Sequence, residues 1–279
     1  MSEAKATLLQ VINPPIYLVS ILPGIAVLLF NPDSNATTSV IWATFAVVLI
    51  QHAINLFNDV TDWQRGADPD KFLSWVRFTD GKTRGLEIQA FISLICGGLL
   101  GILILYLENK SHVLLLATPL VLAGYLYNKG RVPLSYTHLG EWVTGICYGG
   151  VFACLWWLST DRDGTSELIT GLIGSISYAA LAGSILLSHQ PLQIQTDSAA
   201  GKISFAVRHG KQKTWLISRL LYGLFCLTTI MLFSQVSTSL TRQLCLLGVC
   251  SATIVYTLRT EPCPAKVLIP ASMCILCCL

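Results

Sequence analysis

Charge is what this sequence has least of. Only 12% of its 279 residues are Asp, Glu, Lys or Arg, and 53% are hydrophobic, whereas a soluble domain carries about 25% charged residues. That scarcity excludes an ordinary soluble domain. The net charge of +3, dispersed along the chain, excludes a nucleic-acid-binding surface. Other signals are missing too. No basic stretch leads into a small-residue cleavage site, so no removable signal peptide is expected. The closing LCCL does not put Cys fourth from the end, as a prenylation box requires. No GxxxxGK[ST] run marks a P-loop. Cysteine is plentiful, at ten residues, but scattered through apolar segments where thiols act as small apolar side chains. Cys274, Cys277 and Cys278 have CxxC spacing but no His or acid nearby, so no metal site is expected there.

What is present is a series of apolar runs near the roughly 20 residues needed to cross a bilayer. Nine such runs fall at about 11–30, 38–58, 88–107, 111–128, 138–158, 167–189, 214–234, 239–258 and 264–279. The expected fold is an all-α integral membrane bundle of nine transmembrane helices. It forms one domain over 1–279, with helices 1–4 at about 11–128 and helices 5–9 at about 138–279. Fifteen of the eighteen Lys and Arg residues fall on one side of this arrangement, leaving Lys110, Arg162 and Arg242 on the other. The positive-inside rule then places the N-terminus in the cytoplasm. Helices 2 and 6 occupy corresponding places, each followed by a long basic loop (59–87 and 190–213), which suggests a weak internal repeat.

Two polar stripes interrupt the apolar pattern. Asn55, Asn58, Asp59 and Asp62 are spaced i, i+3, i+4, i+7, so they share one helical face. Gln51 and His52 extend that face deeper into the membrane. His189, Gln193, Thr196 and Asp197 form a second stripe, spaced i, i+4, i+7, i+8. Ionisable groups in membrane segments are costly and mark functional cavities. Both stripes end on the basic side. Carboxylates paired with a polyanion site point to Mg²⁺, which is held by one or two carboxylates together with substrate phosphates. Asp59 and Asp62 supply hard oxygen ligands on one helical face, and Asp68 follows shortly after Gly66. Lys71, Lys82 and Arg84 are placed to neutralise phosphate charge, arginine with bidentate geometry. Asp197 ends the second stripe, and Lys202 and Arg208 follow it in a short polar loop. Between helices 4 and 5, Tyr136 lies at the membrane interface and Glu141 just inside helix 5, where a lone acid is expensive. His52 and His189 lie on the stripes themselves, and His138 is a third candidate base.

Taken together, these segments resemble the UbiA superfamily of intramembrane aromatic prenyltransferases over most of the chain. NDVTDWQRGAD (58–68) keeps the ND-x-x-D-x-x-x-G-x-D form of the 1,4-dihydroxy-2-naphthoate prenyltransferase branch. RVPLSYTHLGEW is similar to that branch's PLxYxGLGE signature, and TDSAAGKISFAVRHG to its D-x-AAGK-xxx-AVRLG signature. The stretch from Lys71 to Lys82, with Ser74, Val76 and Thr79, looks like the phytyl-transferring members from photosynthetic organisms. There are departures. Gln193 stands where many members carry a second acid, His138 where Gly is usual and His209 where Leu is usual.

The resemblance implies helices around a central cavity, opening to the cytoplasmic side of a bacterial plasma membrane or a photosynthetic membrane. It implies Mg²⁺ as cofactor, and a prenyl diphosphate and 1,4-dihydroxy-2-naphthoate as substrates. It makes Asp59, Asp62 and Asp197 the catalytic acids, adds Asn58, Asp68 and Gln193 as metal ligands, and makes Lys71, Lys82, Arg84, Lys202 and Arg208 the diphosphate-binding cations. The prenyl group is phytyl or polyprenyl, the acceptor loses its carboxylate, and the product is a menaquinone or phylloquinone precursor. Asn55, His52, Tyr136, Glu141 and His189 are the acceptor-binding candidates, and membrane lipid surrounds the bundle. Three other readings stay open. One keeps the diphosphate site but changes the acceptor to homogentisate, 4-hydroxybenzoate or a chlorophyllide. Another is a secondary transporter, which also places polar residues in membrane helices, although there the sites lie near the midplane. A member without catalysis, suggested by Gln193, is a third.

Overall fold

In the computed structural model, residues 6–31, 35–67, 73–160, 164–236 and 239–277 are described, and they are helical or looped throughout. Twelve α-helices succeed one another among them: α1 Leu8–Ile12, α2 Leu18–Phe30, α3 Thr37–Arg65, α4 Trp75–Phe78, α5 Thr83–Leu107, α6 Leu114–Asn128, α7 Gly140–Ser159, α8 Thr165–His189, α9 Ile194–Ala199, α10 Phe205–Val236, α11 Leu240–Arg259 and α12 Pro264–Leu276. Among the described residues eight spans are long and apolar enough to cross a membrane, with α1 and α2 forming the first. Nine were expected. The ninth, α12, has thirteen residues, about 20 Å of helix against a hydrocarbon core of about 30 Å, so it does not reach across by length alone.

The end of α3 and the start of α10 differ from the expected boundaries, while α8 ends at His189 as expected. The loop expected from residue 59 begins only at Gly66, so Asp59 and Asp62 stand on the last turns of α3. Gly66 takes the left-handed conformation (φ 71°). Its N–H returns to the Trp63 carbonyl, and the N–H of Ala67 to the Asp62 carbonyl. This is a Schellman cap, a geometry that favours glycine. The second stripe is not one helical face. Pro191 lacks the N–H a helix needs and clashes with the preceding turn, so α8 stops at His189, a 3₁₀ turn covers Gln190–Leu192, and Asp197 rides on the separate short helix α9. Helix α10 also starts earlier than expected, at Phe205, and is broken at Gly210 (φ 80°, ψ 165°).

The largest core runs through α2, α7, α8, α10, α11 and α12 and includes Phe152, Trp156, Tyr178, Tyr222 and Phe225. The Phe152 ring stacks on Tyr178 at 5.3 Å. Gly174 makes this possible, since a Cβ there would lie 1.9 Å from the edge of Phe152. Between membrane helices, close approach of this kind supplies packing that the hydrophobic effect does not.

The loops after α3, α6 and α9 meet at one end of the bundle. Arg65 donates to the Arg131 carbonyl (3.1 Å), and the Ile203 N–H donates to the Tyr136 carbonyl (3.1 Å). At the opposite end Lys110 donates to the Thr160 carbonyl (2.6 Å), and Asn31 donates to that of Ser159 (2.8 Å).

Candidate functional site

Where the three loops meet, both stripes contribute to one cage of buried acids. Asp62, only 2% exposed, accepts from three directions. Asn58, one turn earlier on α3, donates to Oδ2 at 2.9 Å. The Tyr136 hydroxyl donates to Oδ1 at 2.9 Å. Lys202 Nζ lies 3.5 Å from Oδ2. The same ammonium is 3.8 Å from Asp197 Oδ1, and Ser204 Oγ donates to Asp197 Oδ2 at 3.0 Å. Asp197 is 1% exposed. The Arg65 guanidinium lies over the Tyr136 ring at 4.7 Å, and Lys202 approaches the ring at 5.3 Å. Burial and the adjacent Asp62 carboxylate push the Tyr136 hydroxyl well above the ordinary tyrosine value, so at neutral pH it remains a donor.

Asp59 faces elsewhere. Its Oδ2 accepts the Trp75 N–H at 2.9 Å, which ties α3 to α4. Asn55, one turn before Asp59 on α3, lies on the same helical face. The Tyr17 hydroxyl is 2.7 Å from His52 Nδ1, and the other His52 nitrogen is 3.1 Å from the Gln89 amide. Tyr17, His52, Trp75 and Gln89 stand on the walls of a groove of about 600 Å³ between α1, α3 and α5. His52 therefore points into this groove and away from the Asp62–Asp197 cage.

Glu141 is buried at the start of α7. Its Oε1 accepts from Gln190 Nε2 and from the Phe205 N–H at 2.7 Å. The carboxylate thus sits at the N-terminus of α10, where the helix dipole favours a negative charge. It anchors the loop that carries Asp197 and Lys202. His189 ends α8, and Gln193 caps α9, its carbonyl accepting the Asp197 N–H at 2.8 Å.

Of the five expected diphosphate cations, Lys202 alone is brought onto the acids among the described residues. Lys82, Arg84 and Arg208 are exposed, and Lys71 and Asp68 lie outside the described residues. Sequence reasoning missed Arg65, Ser204, Tyr17, Trp75 and Gln190. Arg65 was legible, since it stands one helical turn beyond Asp62 on the same face. Ser204 precedes a helical run and accepts the Val207 N–H (3.4 Å), an N-cap signature. Tyr17, Trp75 and Gln190 carried no spacing signal.

The donors around Lys202 are all oxygens: two carboxylates, a phenol, and within reach the Asn58 side chain. Such a set suits a hard cation. The residues present therefore fit Mg²⁺: Asp62 and Asp197 would hold it, with Asn58 supporting the first.

The profile of the UbiA prenyltransferase family matches residues 17–269. The chain is 31% identical over 175 residues to the 1,4-dihydroxy-2-naphthoate octaprenyltransferase of Bacillus subtilis, covering 60% of this chain and 53% of that protein. It is 28% identical over 228 residues to the 2-carboxy-1,4-naphthoquinone phytyltransferase of Synechocystis, covering 80% and 72%. The chain spans about half the length of the Bacillus protein. A UbiA homolog from Aeropyrum pernix superimposes with a TM-score of 0.69 at 13% identity, covering 96% of each chain. One from Archaeoglobus fulgidus, bound to GPP and Mg²⁺, gives 0.66 at 14% identity, covering 97% of each.

Proposed function

Because the chain belongs to the UbiA prenyltransferase family, we propose that it is an integral-membrane enzyme transferring a phytyl or polyprenyl group from its diphosphate to 1,4-dihydroxy-2-naphthoate. The observation that carries the reading is the cage in which one ammonium, Lys202, lies between the buried carboxylates of Asp62 and Asp197. The signatures shared with the naphthoate branch support the acceptor, as do a relative named for that substrate and one named for 2-carboxy-1,4-naphthoquinone, its oxidised form.

A bound Mg²⁺ would supply positive charge to the diphosphate and make it a better leaving group. Asp62 and Asp197 would hold that ion. Lys202 turns its ammonium from the carboxylates to the incoming diphosphate, and Arg65 adds a second cation on the same side. As the C–O bond to the prenyl group lengthens, negative charge grows on the diphosphate, and these two cations stabilise it. The Tyr136 hydroxyl holds Asp62 in orientation throughout. The allylic carbon is attacked by the electron-rich ring carbon that bears the carboxylate. The C–CO₂ bond then breaks, its electrons restore the aromatic ring, and CO₂ leaves, so no net proton is required. Apolar helix walls keep water from the allylic cation. Asp59, with Asn55 and the Tyr17–His52 pair, borders the acceptor side. Under the positive-inside rule the basic end of the bundle is cytoplasmic, and the site lies at that end.

The test uses purified protein in liposomes with Mg²⁺, 1,4-dihydroxy-2-naphthoate and a panel of prenyl diphosphates. The expected result is a prenylated, decarboxylated naphthoquinol by mass, abolished by EDTA. Alkylation of homogentisate or 4-hydroxybenzoate alone would overturn the acceptor, and no product with any acceptor would overturn the activity.

A further inference from the structure

Three thiols that the sequence scatters over fifty residues converge on one point of the bundle core. Cys226 comes from α10, Cys250 from α11 and Cys274 from α12. Their sulfurs all lie within 4.8 Å of one another, and all three residues are buried. Cys250 Sγ and Cys274 Sγ are 3.6 Å apart. The Tyr222 hydroxyl, one turn before Cys226, is 3.9 Å from Cys274 Sγ, and Thr253 Oγ1 is 3.7 Å from the same sulfur. We propose that Cys226, Cys250 and Cys274 form a binding site for a thiophilic d¹⁰ cation, Zn²⁺ or Cu⁺, that pins α10, α11 and α12 together.

The geometry suits such an ion. A metal at about 2.3 Å from each of three sulfurs sets them roughly 4.0 Å apart in a trigonal plane, within the 4.8 Å limit of the trio and close to the 3.6 Å of the Cys250–Cys274 pair. The ligands are soft sulfurs, which select Zn²⁺ and Cu⁺ over Mg²⁺ or Ca²⁺. Tyr222 and Thr253 offer oxygen on one side for an ion that seeks a fourth ligand. A charged site inside a membrane bundle is costly. A divalent ion with two ionised sulfurs and one thiol carries no net charge, and its binding releases two protons. The bond has mechanical meaning. Helix α12 is short, and Cys274 sits near its end. A metal there would tie it to two long helices. The site is separate from the acid cage, and it stands whether or not the proposed reaction does.

The experiment takes the full-length protein purified under reducing conditions in detergent, and reconstitutes it in separate arms with Zn²⁺ and with Cu⁺. Metal content per chain is measured after desalting, and X-ray absorption reads the ligand shell. The expected result is one ion per chain in at least one arm, with a shell of three sulfurs. Cys226→Ser, Cys250→Ser and Cys274→Ser each lose that ion, while Cys245→Ser keeps it. The wild-type sulfur shell decides the matter even where a serine variant fails to fold. Failure of wild type to retain an ion in either arm overturns the proposal. So does an ion held by nitrogen or oxygen only.

Discussion

Lys202→Met removes the cation that lies between two buried carboxylates, and the distances in the cage set the cost. At 3.5 and 3.8 Å from Asp62 and Asp197, each attraction is about 4–5 kcal/mol at an effective dielectric of 20. Desolvating the lysine, whose side chain is 14% exposed, takes much of that back. The variant is left with two carboxylates of 3% and 2% side-chain exposure facing each other without that counter-ion. Leaving a buried ionic group uncompensated costs about 3–5 kcal/mol. For a chain of this size each kcal/mol moves Tm by roughly 2–4 °C, so in EDTA the variant should melt about 6–20 °C below wild type. Mg²⁺ should then restore more stability to the variant than to wild type, because in wild type the ion must displace an ammonium already in place. Thermal unfolding in detergent, followed by tryptophan fluorescence with and without Mg²⁺, measures both. A variant melting within about 2 °C of wild type in EDTA would refute the buried-cage account. An equal Mg²⁺ shift in both proteins would refute the placement of the ion.

Asp62→Asn keeps the side chain's shape but removes its charge and one of the two acceptor oxygens to which Asn58 and Tyr136 donate, so it should abolish prenyl transfer while the protein still elutes as a folded species; turnover at the normal rate would sink the metal assignment. Tyr136→Phe loses one hydrogen bond to a charged group, worth about 1.5–3 kcal/mol, and should raise the Mg²⁺ concentration needed for half-maximal rate. The same variant carries a pH signature. The folded Tyr136 hydroxyl holds its proton above the ordinary value of 10, so its stabilising contribution is complete below pH 10 and is lost as pH rises beyond it. Wild type should therefore lose more stability than Tyr136→Phe between pH 9 and 11, and parallel melting curves across that range would count against the burial of the hydroxyl. Gly174→Ala forces a Cβ to within 1.9 Å of Phe152 and should cost about 1–3 kcal/mol as overpacking, read as a lower Tm with unchanged helix content.

The sequence by itself determined the membrane bundle, because hydrophobic run length is a local property and the bilayer sets the length required. It also determined the first acidic stripe, since residues three and four apart on one helix must share a face. It singled out Lys202 through its place after Asp197, and the fold sets that ammonium beside Asp62 and Asp197. Tertiary structure decided what each stripe meets. A one-helix argument treats Asp59 and Asp62 alike, yet one binds the Trp75 N–H and the other faces Tyr136 and Lys202, because their neighbours arrive from segments 16 to 140 residues away. The second stripe looked continuous in spacing, but Pro191 ends the helix, and α9 is aimed by contacts with α10. Glu141 was legible as a costly acid, but its partner Gln190 and the α10 N-terminus it holds were not. The three thiols are the extreme case. Nothing within twenty residues of Cys226 announces Cys250 or Cys274, because their meeting depends on how three helices pack, and packing is a property of the assembled bundle and not of any segment in it.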